Sequence, residues 1–275
     1  MEMEVTTTAG YKAAVFYEQF LVKGVFKYWT PLLLQRAGPK PGERVLDVAC
    51  GTGVVARQMV PLVGGEGDVT GLDINPMMLA VACQQFSDHC SEIEWQEGQA
   101  ENIPFPDQSF DLVTCQQGLQ FFKNQLKALQ EMYRVLKPGG RVALEVFMSP
   151  ECNVFYQHVF EVLASRFNVP ITDLTAPFDF GEPEELEGML ITAGFRGLRN
   201  DDVRQEVHFA EPEHFVEMVI KSSAAVIPAF ARINDSENTE LSQEVQNELS
   251  GFLEQQTKDG VLTFPMFANI ATAIR

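Results

Sequence analysis

Between Tyr11 and Ala37 the chain places Phe16, Tyr17, Phe20, Leu21, Phe26, Trp29, Leu32 and Leu33 at recurring steps of three and four. That spacing predicts helices with an apolar face. Pro31, after Thr30, predicts the first turn of a new helix, and Gly38-Pro39 its end. From residue 44 the pattern changes to short apolar runs that alternate with helical periods, as in a parallel sheet covered by helices on both faces. Arg44 to Val48, Gly67 to Leu72, Ile93 to Trp95, Phe110 to Cys115 and Val142 to Phe147 read as strands. Between them, helices are expected near Val54 to Val60 and from an Asn75 cap with Pro76 at the first helical position to about Phe86. A further helix carries Leu126, Leu129, Met132, Tyr133 and Leu136 on one face until Pro138-Gly139-Gly140 stops it.

After residue 150 the alternation loosens. A helix is expected from about Asn153 to Phe167, and another opens at Pro183-Glu184-Glu185 and closes at Gly194. Residues 195 to 209 read as a strand. A helical block follows from about 211 to 257, with Leu241, Val245, Leu249 and Leu253 on one face, and Val261 to Ile274 returns as the last strand. The expected architecture is a single α/β domain over 1–275, with a Rossmann-like, seven-stranded mixed sheet, the last strand antiparallel, and helices on both faces. Its parts are an N-terminal helical lid (1–40), a core (41–149) and helical insertions at 150–181 and 211–258.

Composition narrows the class. The 275 residues are 45% hydrophobic and 21% charged, which suits a globular domain with a sizeable core. The formal net charge of −18 would repel a phosphate backbone, so nucleic acid is not an expected partner. No run of 18 apolar residues suggests a membrane span. The acidic opening Met1-Glu2-Met3-Glu4 lacks a basic-then-apolar leader, so a cytoplasmic protein is expected. Five cysteines form no C-x-x-C pair, which predicts reduced thiols and no metal.

The strongest local signal is Val45-Leu46-Asp47-Val48-Ala49-Cys50-Gly51-Thr52-Gly53. Glycines in such a turn let backbone amides approach a ligand where a Cβ would collide. The helix that follows offers its positive end to an anionic group. Asp73 lies 20 positions after Gly53 at the end of the second strand, where a carboxylate can accept two ribose hydroxyls. Gly51-x-Gly53-x-x-Ala56 also fits a looser dinucleotide fingerprint, so an NAD(P)-dependent oxidoreductase is a rival reading. Tyr133 and Lys137 have the Tyr-x-x-x-Lys spacing of short-chain dehydrogenases. Because Pro138-Gly139-Gly140 breaks that helix at once, they read instead as a packing tyrosine and a helix-end lysine.

Three further segments follow in register: Gly71-Leu72-Asp73-Ile74-Asn75-Pro76-Met77-Met78-Leu79, Gly98-Gln99-Ala100-Glu101-Asn102-Ile103-Pro104-Phe105 through Ser109-Phe110-Asp111-Leu112-Val113, and Met132-Tyr133-Arg134-Val135-Leu136-Lys137-Pro138-Gly139-Gly140-Arg141. Together with the glycine turn they resemble the class I S-adenosylmethionine-dependent methyltransferases, in particular the group of ubiquinone/menaquinone C-methyltransferases and their small-molecule relatives. The resemblance covers residues 44 to 147. It implies S-adenosyl-L-methionine as cofactor and assigns contacts. Asp47 and the backbone of Ala49, Cys50, Gly51 and Gly53 would hold the amino-acid end, and Asp73 the ribose. Ile74 and Met78 would lie against the adenine, with Gln99 and Ala100 at its edge, and the Cys115-Gln116 backbone would meet the methionyl ammonium. Tyr17 would reach the cofactor from the lid. Ala49 stands where the family pattern has a glycine, and Gln99 where it has an aspartate; the amide oxygen can still accept from the adenine amino group.

Methyl transfer from a sulfonium is an in-line displacement whose leaving group needs no proton, so the protein chiefly aligns the acceptor and excludes water. No general base is evident. His158, Gln117 and Gln120 are the candidates for acceptor contacts, the glutamines because they follow the strand end where this fold places ligands. The aromatic lid and the phenylalanines of the insertions point to a hydrophobic small-molecule acceptor. A subunit that binds the cofactor without catalysis is the third reading.

Overall fold

Five parallel strands form the centre of the sheet: β1 (Arg44–Val48), β2 (Asp68–Asp73), β3 (Ile93–Glu97), β4 (Phe110–Gln116) and β5 (Leu136–Phe147). The computed structural model of the chain describes residues 9–86, 92–178, 180–223, 230 and 235–275. Residues 1–8 of the expected lid, and 224–229 and 231–234 of the second expected insertion, lie outside the described residues. β1 and β2 are buried beyond their first residue, which is why they read as nearly continuous apolar runs. The order across the sheet is β3-β2-β1-β4-β5-β8-β6, with β6 at Arg196–Phe209 and β8 at Val261–Ile274. β8 runs antiparallel to both neighbours, from Arg141↔Ile274 on one side and Phe209↔Leu262 on the other.

The expected seven strands are joined by an eighth, β7 (Thr257–Lys258), which pairs with the start of β8. The helical block predicted to 257 therefore ends one residue earlier. Asp259 and Gly260, both at positive φ (52° and 77°), make the two-residue turn between the strands. An Asp-Gly pair flanked by strand formers is the sequence signal for this hairpin.

Alternate strand residues feed two apolar layers. Val45, Val69, Leu112 and Ala143 face a core shared with helices α2 (Lys27–Ala37) and α3 (Val54–Val63). Leu46, Leu72, Val113 and Val142 face α5 (Gln125–Val135) and α7 (Pro183–Ala193). At the sheet's edge, α4 (Pro76–Gln85) packs against α1 (Ala9–Tyr17). Asn75 caps α4 by accepting from Met77 N–H at 2.9 Å, as its position before Pro76 predicts. At the other end, Cys83 is disulfide-bonded, against the expectation of reduced thiols throughout; Cys50, Cys115 and Cys152 are free. None of the described helices is long and apolar enough to cross a membrane.

Pro31 does not start a helix. A π-helical stretch (Glu18–Phe26) runs directly into α2, and Pro31 lies within it. Only one helical bond, to the Lys27 carbonyl, is lost there, and the Thr30 hydroxyl donates back to Phe26 O at 3.1 Å.

The later helices α6 (Val154–Phe167), α8 (Phe215–Ser223) and α9 (Asp235–Gln256) join the first of these cores. Phe155 stacks on Phe264 of β8 with centroids 3.8 Å apart and meets Phe215 and Phe252 at 5.3 and 5.2 Å. Asn153, 1% exposed, ties α6 to the sheet. Its Nδ2 donates to Met148 O (2.8 Å) and Phe267 O (3.2 Å), and its Oδ1 accepts from Phe267 N–H (2.9 Å). Asn153→Ala removes the side-chain partner of Met148 O and of Phe267 N–H, while Phe267 O keeps the Met148 N–H at 3.0 Å, and is expected to lower stability by roughly 2–3 kcal/mol. Urea unfolding followed by circular dichroism checks this; a midpoint unchanged from wild type contradicts it.

Candidate functional site

The turn after β1 is held by Asp73 at the tip of β2. Asp73 Oδ2 accepts from Gly51 N–H and Oδ1 from Asn75 N–H, each at 2.8 Å. Burial raises the Asp73 pKa above the usual carboxylate range, opposed by the backbone N–H groups of Asn75, Gly51 and Ile74. Each oxygen keeps further acceptor capacity for a ligand. Ala49 opens the turn in the left-handed region at φ 55°, a conformation that costs an alanine roughly 1–2 kcal/mol. Gly118, just beyond β4, makes room for it: a Cβ at Gly118 would lie 2.6 Å from the Ala49 Cβ. The other end of the turn, Gly53 at φ 84°, has a packing reason for lacking a side chain, because a Cβ there would run into the Trp95 ring.

Above this turn lies a cavity of about 500 Å³ at the C-terminal ends of the parallel strands. It brings together most of the residues singled out from sequence: Tyr17, Ala49, Gly51, Asp73, Ile74, Met78, Gln99, Ala100 and Gln116 all lie on its wall. Asp47, Cys50 and Gly53 do not. Asp47 is 1% exposed and sits beneath the turn, accepting from Thr114 Oγ1 of β4 at 2.9 Å, while its Oδ2 has no partner. Burial pushes its pKa up to about 7, against the pull of the Thr114 hydroxyl. The reading of two carboxylates flanking the ligand is thus corrected: one faces the cavity and the other braces its floor. Phe121, Phe122, Lys123 and Asn124 also line the cavity and were not singled out. They belong to a single 3-10 turn after β4 and its exit, too short to leave a periodic pattern.

A second, smaller cavity of about 120 Å³ shares Tyr17, Met78, Gln117 and Phe121 with the first. Its remaining wall comes from Leu21, Val25 and Phe26 of the N-terminal segment, Phe147 of β5, and Gln120. Tyr156 and Phe160 of α6, Pro177, Phe178, and Val219 of α8 complete it. Of the three acceptor-contact candidates, Gln117 and Gln120 line this cavity and His158 does not. His158 lies two positions from Tyr156, about 200° around α6. Its ring packs on Phe252 at 4.6 Å, its Nδ1 lies 3.6 Å from Glu161, and its side chain is 44% exposed.

Under the glutamines is Glu145, fully buried on β5. Its carboxylate accepts from Gln116 Nε2 and Gln117 Nε2, both at 3.1 Å. Burial pushes its pKa up to about 7, with the two amide donors pulling it down. Gln117 takes positive φ (54°), its N–H donating to Glu145 O at 2.8 Å.

Glu18 is the structural residue that the sequence reading missed. It is 4% exposed, accepts from the Thr52 hydroxyl of the glycine turn, and pairs with Arg57 of α3 at 2.8 Å. A lone glutamate in an aromatic segment gives no signal of a partner 34 or 39 positions away. Tyr133 packs edge-on to Phe195 at 5.2 Å, as read, whereas Lys137 is not a helix-end lysine: the helix stops at Val135, β5 begins at Leu136, and Lys137 pairs with Asp111 at 2.7 Å.

A profile of the ubiE/COQ5 methyltransferase family matches residues 16–205. The ubiquinone/menaquinone biosynthesis C-methyltransferase UbiE of Shewanella sediminis is 32% identical over 186 residues, covering 62% of this chain and 74% of that protein. Among solved structures, a Bacillus halodurans protein assigned as a methyltransferase is similar with a TM-score of 0.59 and 25% identity, over 89% of this chain and 97% of that one. Phosphoethanolamine N-methyltransferase 2 of Haemonchus contortus, in complex with phosphomonomethylethanolamine and S-adenosylhomocysteine, shares the fold at a TM-score of 0.55 and 21% identity, over 90% of this chain and 52% of that one.

Two outcomes follow from the geometry. Ala49→Gly removes the left-handed penalty and is expected to raise stability by about 1 kcal/mol; a lower urea midpoint would count against strain at this position. Glu145 holds in the folded state a proton that the unfolded chain releases near pH 4.5. Its contribution to stability is therefore complete below about pH 4.5 and is lost as pH rises to about 7. Glu145→Gln lacks this loss, so its stability relative to wild type is expected to climb by roughly 2–4 kcal/mol from pH 4 to pH 8. A difference that stays flat across that range contradicts the assignment.

Proposed function

The chain belongs to the ubiE/COQ5 methyltransferase family and uses S-adenosylmethionine as methyl donor to a small molecule; we propose that the acceptor is apolar and is held in the aromatic cavity. The observation that carries this reading is the wall of that cavity. Its described residues include seven aromatic or phenolic rings, two glutamines and no charged side chain. The N-terminal segment acts as a lid, and the segments at 150–181 and 211–258 act as acceptor walls, a division supported by the residues each contributes. The Shewanella relative is named for the biosynthesis of ubiquinone and menaquinone, which are molecules of this general character.

The donor fits the larger cavity by the chemistry of its wall. Asp73 has acceptor capacity left on both oxygens for a pair of ribose hydroxyls. Ile74 (64% exposed) and Met78 offer apolar surface for the adenine, and Gln99 and Ala100 lie where its edge would be read. The backbone at Ala49, Gly51 and Gln116 faces the amino-acid end. Cys50, Gly53 and Asp47 act from behind, by shaping the turn. When bound, the donor supplies a methyl group on a sulfonium, and in-line transfer turns it into the neutral thioether. The chain's part is alignment and dryness: Tyr17, Met78, Gln117 and Phe121 stand where the two cavities meet, and the aromatic walls keep water from the reacting atoms. The described wall of the smaller cavity offers no carboxylate or imidazole as a base.

Titration calorimetry is expected to show saturable binding of S-adenosylhomocysteine and no heat with NAD. Asp73→Asn should weaken that binding by about ten-fold or more, about 1.4 kcal/mol, with the thermal midpoint as a check on folding. Binding of NAD in place of the thioether nucleoside would refute the donor assignment. Incubation with methyl-labelled donor and a cell metabolite extract should move label into an organic-extractable product, and label confined to water-soluble products would refute an apolar acceptor.

A further inference from the structure

Gln120 sits on the wall of the aromatic cavity with one half of its amide satisfied and the other half bare. Which half is which follows from its neighbours. The backbone N–H of Phe147 can only donate, and it donates to Gln117 Oε1 at 3.2 Å, which fixes the Gln117 amide with its nitrogen on Glu145 at 3.1 Å. Gln117 Oε1 then receives a second bond from Gln120 Nε2 at 2.8 Å, and the same nitrogen donates to the carbonyl of Pro177 at 3.3 Å. Both partners of Gln120 Nε2 are acceptors, so turning the amide over would set oxygen against oxygen twice. The amide is locked. Its Oε1 is left buried with no hydrogen-bond partner, in a wall that includes the rings of Phe147, Tyr156, Phe160 and Phe178.

A buried carbonyl oxygen without a protein partner is a rare feature, and beside a cavity it is an acceptor that a donor group on a bound molecule would pair. The strained backbone of Gln117, at φ 54°, is spent in holding this arrangement. We propose that Gln120 is a specificity residue for the methyl acceptor, its Oε1 accepting a hydrogen bond from an O–H or N–H on an otherwise apolar, uncharged molecule. This rests on the reading of the aromatic cavity as the acceptor site. A cation finds no carboxylate on the described wall, and an anion finds no Lys or Arg. A donor-free hydrocarbon would leave the oxygen buried and unpaired, which is the kind of mismatch that polar sites reject most strongly.

The test uses the full-length protein saturated with S-adenosylhomocysteine and three probes of similar shape: 1-naphthol, 1-naphthylamine and 1-methylnaphthalene. Dissociation constants are read by fluorescence. The wild type is expected to bind 1-naphthol and 1-naphthylamine at least ten-fold more tightly than 1-methylnaphthalene, although the methyl compound is the more hydrophobic. Gln120→Met should remove that preference by weakening the first two, while 1-methylnaphthalene stays within two-fold of its wild-type affinity. Equal wild-type affinity for all three probes overturns the proposal, and so does a Gln120→Met protein that keeps the preference. Should the variant fail to fold, the wild-type comparison decides alone. If S-adenosylhomocysteine binds but none of the probes does, the acceptor-cavity reading and this inference both fail while the donor site stands. If S-adenosylhomocysteine itself does not bind, the donor assignment fails instead.

Discussion

The two hydrogen bonds that Asp73 accepts from the backbone N–H groups of Gly51 and Asn75 help fix how the tips of β1 and β2 meet, and the rest of the site is arranged around that junction. One carboxylate spans two loops. Through Gly51 it sets the height of the turn that leads into α3, and through Asn75 it sets the start of α4. A backbone bond from Cys50 N–H to Leu72 O at 3.0 Å joins the same two strand tips, so Asp73 adds to a junction that the main chain also holds. The carboxylate serves a dual purpose: it spends one acceptor site per oxygen on structure and keeps the rest for a ligand. Burial raises its pKa, and the backbone donors of Asn75, Gly51 and Ile74 offset only part of that rise.

Around this junction the backbone runs unusually close to itself. Ala49 stands in the left-handed region and its methyl group fits only because Gly118 has none. Trp95 occupies the space that a side chain at Gly53 or Gly71 would need. The glycines of the turn therefore have different physical origins. Gly53 answers to the packing of Trp95, whereas Gly51 lies on the cavity wall with Tyr17 close by. A glycine motif read only as a ligand cradle conflates these two demands. The family pattern puts glycine where Ala49 stands, and here the neighbour across the turn, not the ligand, absorbs the extra methyl.

This explains what was legible in the chain. The parallel core was readable because strands buried on both faces leave apolar runs, and because Asn75-Pro76 and Gly51-Thr52-Gly53 are local signals with local causes. Most of the larger cavity's wall was readable for the same reason, since its residues cluster at strand ends within the resembling segments. Asp47 was misplaced because a carboxylate at a strand tip looks the same in sequence whether it faces the ligand or, as here, Thr114 on the neighbouring strand. His158 was misplaced because side-chain direction on α6 depends on which face the insertion turns to the cavity. Tyr156 and Phe160 define that face; His158 lies opposite. β7 was overlooked although Asp259-Gly260 announced it, because the long amphipathic run of α9 absorbed its two residues.

The smaller cavity is the part least readable from sequence, because its wall is assembled from segments more than 190 residues apart, from Tyr17 to Val219. What holds those segments in register is polar. Glu18 bonds the N-terminal segment to Thr52 of the glycine turn and to Arg57 of α3, and Asn153 bonds α6 to the backbone at Met148 and Phe267. Removing one partner from a buried pair such as Glu18–Arg57 leaves an uncompensated charge, so the segment has one strongly preferred position on the turn. In that position Tyr17 stands against Gly51, and Leu21 and Val25, on the same helical stretch, face the smaller cavity. The wall of the smaller cavity is thereby anchored to the turn beneath the larger one. A chain built this way completes both cavities with one segment, and the geometry of either one depends on the seating of that segment at Thr52.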